Sequence, residues 1–177
     1  MSGWLRLTAR GTWLIRNVPV EHPSLRAHLH RHYQRDEQGR YFVQNGQQQV
    51  FVHIDYAPYT LHLAADGTLM THTEEPAGAV LAARLDEAGA LCLLTALGAG
   101  RVDDASLEYF AGRVRDTSGA LVDETALFSL MGGGGAALWL DLPQGRVPLA
   151  FCASGELPAL FGFVRDPRQQ YGAEAPA

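Results

Sequence analysis

No lysine occurs in this 177-residue chain; all 14 of its Lys+Arg residues are arginine. That absence removes a Schiff-base lysine, the phosphate-binding lysine of a P-loop and the strand lysine of a protein kinase. The plain explanation is codon bias in a GC-rich genome. Cysteine is scarce too: Cys92 and Cys152 stand alone in the apolar runs Leu91-Cys92-Leu93-Leu94 and Ala150-Phe151-Cys152-Ala153. Apolar surroundings raise a thiol pKa, so both are expected as buried, reduced and inert. With no C-x-x-C, a cysteine-rich zinc site is excluded. Long apolar runs are also missing. Thr125 to Leu140 is uncharged but is broken by Gly132–Gly135, too short and too flexible to span a bilayer. Arg6 and Arg10 interrupt the place where a signal peptide would carry its apolar stretch, so a cytoplasmic protein is expected, without a membrane partner.

What is present is ordinary globular composition: 47% hydrophobic, 9% aromatic and 19% charged. The net charge of −5 argues against nucleic acid as a partner, because such binding needs cations to displace phosphate counterions. The charge is uneven. Residues 1–40 hold seven Arg against three acids (+4), and residues 41–177 hold seven Arg against sixteen acids (−9), which together give −5.

One turn signal recurs. Asp36-Glu37-Gln38-Gly39, Asp86-Glu87-Ala88-Gly89 and Asp116-Thr117-Ser118-Gly119 all read D-x-x-G, with Asp placed to accept from the turn backbone and Gly to take the left-handed position. Asn45-Gly46 and Asp66-Gly67 are two-residue hairpin signals. Short strands are expected at 4–9, 12–16, 40–44, 47–55, 59–64, 68–72, 80–85, 90–96, 113–115, 137–142 and 147–152, with their spacing that of antiparallel sheets. Three helices interrupt them: Pro23 to Tyr33, Asp103 to Ala111 ended by Gly112, and Asp123 to Met131. A short helical turn near Leu157–Phe161 is also readable. The fold class is α+β, strand-rich antiparallel rolls with about three short helices. An N-terminal α/β-roll subdomain covers 1–75, a β-roll-like subdomain with two helices covers 76–165, and a mobile tail covers 166–177.

Four places invite a functional reading. On the strand Val50-Phe51-Val52-His53-Ile54-Asp55, Val50, Val52 and Ile54 suit the core, and Phe51, His53 and Asp55 share the other face. With Tyr56 and Tyr59 beyond, these five make a ligand or partner patch, and His53 with Asp55 resembles a base and its orienting group. No Ser or Cys stands at recognisable spacing as a nucleophile, so no catalytic residue is assigned. The plain reading is a sheet face covered by packing. On the first helix, His28 and His32 are four apart and could share a metal ion, but their phase sets them beside Leu25 and Leu29 on the core stripe and no third ligand matches, so no metal site is assigned. Arg26, His30, Arg31 and Arg35 form a basic outer surface, with His30 solvated: an anion or acidic-partner site, or simply a solvated charged face. Gly98-Ala99-Gly100 precedes a helix, but the third Gly of a dinucleotide loop is missing, and a plain loop is expected. No cofactor is implied.

The order Gly11-Thr12-Trp13, Val18-Pro19-Val20, a helix ending at Arg35-Asp36-x-x-Gly39-x-Tyr41, then Asp55-Tyr56-Ala57-Pro58-Tyr59 resembles an uncharacterised proteobacterial domain-of-unknown-function family, mainly over residues 7–60. The resemblance implies a β-roll and an α/β-roll, implies no reaction, and has apolar residues at the positions of His28 and His32. The expectation is a non-enzymatic ligand- or protein-binding module, with an unknown protein or small molecule as partner and a homo-oligomer as one form it could take. The alternatives are a small hydrolase-like enzyme using His53 with Asp55, and a His-based metal-binding protein.

Overall fold

A computed structural model describes residues 4–168. Chain order begins with β1 (Leu5–Leu7), β2 (Trp13–Ile15), β3 (Val18–Pro19), α1 (Pro23–His32), β4 (Tyr33–Arg35), β5 (Tyr41–Asn45) and β6 (Gln48–Ile54). These strands form a six-stranded sheet in the order β3-β2-β1-β6-β5-β4. It continues with β7 (Tyr59–Leu63), β8 (Leu69–Thr71), β9 (Val80–Leu85), β10 (Leu91–Thr95), β11 (Ala99–Val102), α2 (Asp104–Ala111), β12 (Val114–Arg115), α3 (Glu124–Met131), β13 (Leu138–Leu142), β14 (Gly145–Phe151) and α4 (Leu157–Phe161). The second sheet has eight strands in the order β12-β13-β14-β9-β10-β11-β7-β8. The fold is α+β and strand-rich, as expected from the sequence. Its sheets are mixed, because β1/β6, β11/β7 and β14/β9 pair in parallel. The sheets change hands at residues 55–58, whereas the subdomain division read from the sequence stands at residue 75.

The turn code works as its chemistry dictates. Asp36 accepts from the amides of Gln38 and Arg40, Asp86 from Ala88 and Ala90, and Asp116 from Ser118 and Ala120. Asp103 and Asp123 cap α2 and α3 by accepting from Ser106 and Ala126. Three strands were not expected. β3 is a two-residue edge strand ending in proline, a place where the missing amide is tolerated. β4 is the extended exit of α1, where Tyr33 turns inward. β11 replaces the loop expected at Gly98-Ala99-Gly100. There Gly100 lies against Leu61 of β7 so closely that a Cβ would stand 2.5 Å from the Leu61 side chain, so this glycine serves strand packing and not a phosphate.

Between the sheets sits an aromatic core. Trp13, Tyr33, Tyr41 and Tyr59 pack with ring centroids 5.1 Å apart for Trp13–Tyr33, 5.2 Å for Tyr33–Tyr41 and 5.5 Å for Tyr33–Tyr59. Such ring pairs add about 0.5–1.5 kcal/mol each beyond area burial. Tyr33 donates its hydroxyl to the Pro58 carbonyl at 2.7 Å, and burial pushes the Tyr41 phenol up to about 12. His72 lies against this cluster, its Nδ1 accepting from the Thr60 amide at 3.1 Å. Burial holds its imidazole down to about 3. Both cysteines are buried and free, and burial raises the Cys92 thiol to about 12.

The last described residues run back across the first sheet. Arg35 donates to the Gly162 carbonyl at 2.9 Å, the Val164 amide to Gly39 at 2.9 Å, and the Ile54 amide to Arg165 at 2.8 Å. Phe163 is buried. At the start of the stretch expected as a mobile tail, 166–177, Pro167 is buried and the Asp166 carboxylate accepts from the Arg168 amide at 3.0 Å. The segment holds because its backbone donors and acceptors find partners on β5's turn and β6. Residues 169–177 lie outside the described residues.

Candidate binding groove

β6 alternates as its sequence requires, with Val50, Val52 and Ile54 buried and Phe51 and His53 on the other face. β1 runs parallel beside it with Arg6 opposite His53, which brings the Arg6 side chain onto the same face. Arg6 Nε donates to Asp55 Oδ1 at 2.6 Å, and that bond with its charge raises the guanidinium further above its ordinary value. His53 stands between two carboxylates. Its Nε2 is 3.8 Å from Asp55 Oδ1, and its Nδ1 is 4.0 Å from Asp166 Oδ1. Both are ion-pair distances too long for hydrogen bonds. The Asp166 carboxyl is held below its usual range chiefly by its hydrogen bond from Arg168. His53 keeps 29% of its side chain exposed and faces an open groove of about 740 Å³. Arg6, Asp55, Arg165 and Asp166 give that groove charges of both signs, and Pro158 and Phe163 give it an apolar side. No hydroxyl or thiol side chain lines it among the described residues.

The structure divides the five-residue patch. His53 and Asp55 share the groove. Phe51 lies beside it on the strand, with its ring under the Arg40 guanidinium at 4.7 Å and edge-on to Phe42 at 5.9 Å. Tyr56 turns the other way. Its hydroxyl donates to Asp86 Oδ2 at 2.7 Å, and burial reinforced by that bond raises the phenol well above its usual range. Tyr59 belongs to the aromatic core and is buried. The sequence reading missed Arg6, Arg165 and Asp166. Arg6 was visible only as the outward residue of Leu5-Arg6-Leu7, and nothing in the sequence announces that β1 pairs with β6. Arg165 Nε donates to the Tyr56 carbonyl at 2.8 Å, while its buried Nη2 has no hydrogen-bond partner among the described residues.

The basic surface on α1 is also divided. Arg26 and Arg31 are exposed, and Arg35 is exposed but bonded to Gly162. His30, expected to be solvated, is turned inward toward Trp13 and His72, with ring centroids 6.3 and 5.9 Å away. Burial lowers its pKa. The reason is helical phase: Leu29 with His30 faces the core, and Leu25 is 40% exposed. His28 and His32 are half-buried with ring centroids 4.5 Å apart. Among the described residues, no group of three or more His, Cys, Asp or Glu gathers as a metal site, and no helix is long and apolar enough to cross a membrane. Arg10 pairs with Asp104 at 3.3 Å, so the basic N-terminal segment meets acids of the later chain both there and at Asp55.

Residues 1–168 match the family model DUF2944, described as "Protein of unknown function (DUF2946)". The chain belongs to that family. No curated protein matches it. Among solved structures, this DUF2944 chain is similar to a DUF1285 family protein from Silicibacter pomeroyi DSS-3, with TM-score 0.58, 18% identity, 88% of this chain covered and 83% of that one. A DUF1285 family protein from Shewanella baltica OS155 gives TM-score 0.47 at 16% identity, covering 60% of this chain and 89% of that one. At these identities the first likeness concerns the fold alone.

Proposed function

We propose that this protein is a cytoplasmic binding module rather than an enzyme, and that the groove beside His53, Asp55 and Asp166 receives a small ligand carrying both signs of charge. The observation that carries the reading is the state of Asp55. Its near oxygen accepts from Arg6 at 2.6 Å and stands 3.8 Å from His53, so it is engaged by a cation instead of orienting a base. The groove beside it is open, carries two cationic and two anionic side chains, and among the described residues has no hydroxyl or thiol nucleophile. That lining suits recognition of a zwitterion by paired hydrogen bonds more than it suits acyl transfer.

The alternative is acid–base catalysis by His53, favoured by its part-exposed ring between two carboxylates. Thermal-shift screening with a panel of zwitterionic metabolites, on wild type and His53→Ala, separates the two. Binding predicts hits that raise the wild-type melting temperature and shrink in the variant. Hydrolysis of an activated ester that disappears with His53→Ala would establish the alternative.

A further inference from the structure

The second sheet carries a site of a different character. Its floor is leucine, with Leu91 from β10 and Leu140 from β13. Its roof is Phe110 from α2 and Leu127 and Met131 from α3. The space is about 270 Å³, which at about 30 Å³ for each water is room for about nine waters or as many methylene-sized groups. Water is a poor occupant, because it needs two to four polar partners and the walls here are carbon almost throughout. Among the described residues the one charged lining residue is Glu124, exposed on the first turn of α3. It adjoins the capping carboxylate of Asp123. Two carboxylates outweigh the roughly half positive charge of a helix start, so the rim is negative. No arginine among the described residues lines the space. The roof is lightly held. Phe128 on α3 is 65% exposed, and the helix runs directly into Gly132–Gly135, where Gly133 and Gly135 take positive φ.

We propose that this cavity is a binding site for a hydrophobic amine, its hydrocarbon body under α3 and its ammonium group at Glu124. Apolar volume sets the size of the ligand, and the negative rim sets the sign of its head group. A carboxylate-headed chain of equal length would bring like charge to Glu124 and find no cation.

The test uses three probes with the same eight-carbon chain: octylamine, octanol and octanoate. Each is titrated into the full chain at low salt by calorimetry, with the methyl signals of Met131 and Leu127 followed by NMR. Octylamine is expected to bind about fivefold tighter than octanol, the scale of one solvent-exposed ion pair, with octanoate weakest. Glu124→Gln should cut the preference for the amine and leave octanol unchanged. Leu107→Trp, which fills the space from α2, should abolish binding of all three. If that variant fails to fold, the Glu124→Gln comparison decides alone. No binding of any probe, octanoate binding as well as octylamine, or shifts at His53 in place of Met131 would each overturn the proposal.

Discussion

Two stretches of this protein carry the same local code and meet different fates. Arg35-Asp36-Glu37-Gln38-Gly39 follows α1 and β4, and Arg115-Asp116-Thr117-Ser118-Gly119 follows α2 and β12. In both, the aspartate accepts from the amides two and four residues on, and the glycine sits at φ 82° or 83°. The surroundings differ. A Cβ on Gly39 would meet the Gly162 carbonyl oxygen at 2.5 Å, while one on Gly119 would find only the end of Arg146 at 3.5 Å. Asp36 holds Arg40 at 2.7 Å, whereas Asp116 holds its neighbour Ser118. The first turn is pinned by the returning C-terminal segment, which also supplies Asp166 and Arg165 to the charged groove. The second turn is left open, and its chain goes on to α3 and the apolar cavity. Turn chemistry sets the local bend; what crosses over the turn decides whether that half of the molecule is closed or open.

The largest expected effect tests that difference directly. Gly39→Ala combines left-handed strain with a backbone clash and should destabilise by about 3 kcal/mol or more, whereas Gly119→Ala bears only the strain, about 1 kcal/mol. Urea unfolding of both variants checks this, and equal losses would break the comparison.

Local signals of this kind were legible from the start. The D-x-x-G aspartates, the caps Asp103 and Asp123, and the alternation of β6 depend on neighbours in sequence, and each stands where its chemistry requires. What escaped depends on partners far along the chain. The parallel register that sets Arg6 opposite His53 has no sequence mark. Gly100 looked like a loop until Leu61 lay against it. His30 reads as solvated when Leu25 marks the core side of α1, and the packing of Trp13 and His72 turns it inward instead. The C-terminal segment reads as polar tail because it is held mainly by backbone hydrogen bonds, which composition does not reveal.

Next in size is acid sensitivity of the aromatic core between the two sheets. His72 has an ordinary pKa of 6.5 and is held to about 3 in the folded protein by burial, so folding favours its neutral form. The stability linked to it is complete above pH 6.5 and is lost as pH falls from 6.5 toward 3. Between pH 7.5 and 5 the loss is about 2 kcal/mol by proton linkage. His72→Gln, whose amide oxygen can still accept from Thr60, should flatten the stability profile across that window. An unchanged slope would place the acid sensitivity elsewhere.

A smaller effect separates the two aspartates. Asp36→Ala removes the carboxylate that accepts from the Gln38 and Arg40 amides and from Arg40 Nε, and should lose about 1–2 kcal/mol. Asp116→Ala should lose less, because its partners stay in water. Thermal melts of the pair rank them, and the reverse order would contradict the closed-and-open contrast.

The central claim is that the half pinned by the C-terminal segment presents a binding groove at His53. Amide and side-chain chemical shifts of the isotope-labelled chain, titrated with the zwitterion panel, test it most directly. A zwitterionic ligand is expected to move Arg6, His53, Asp55 and Asp166 together with saturable shifts, an effect lost in His53→Ala. A panel that leaves all four unmoved would contradict it.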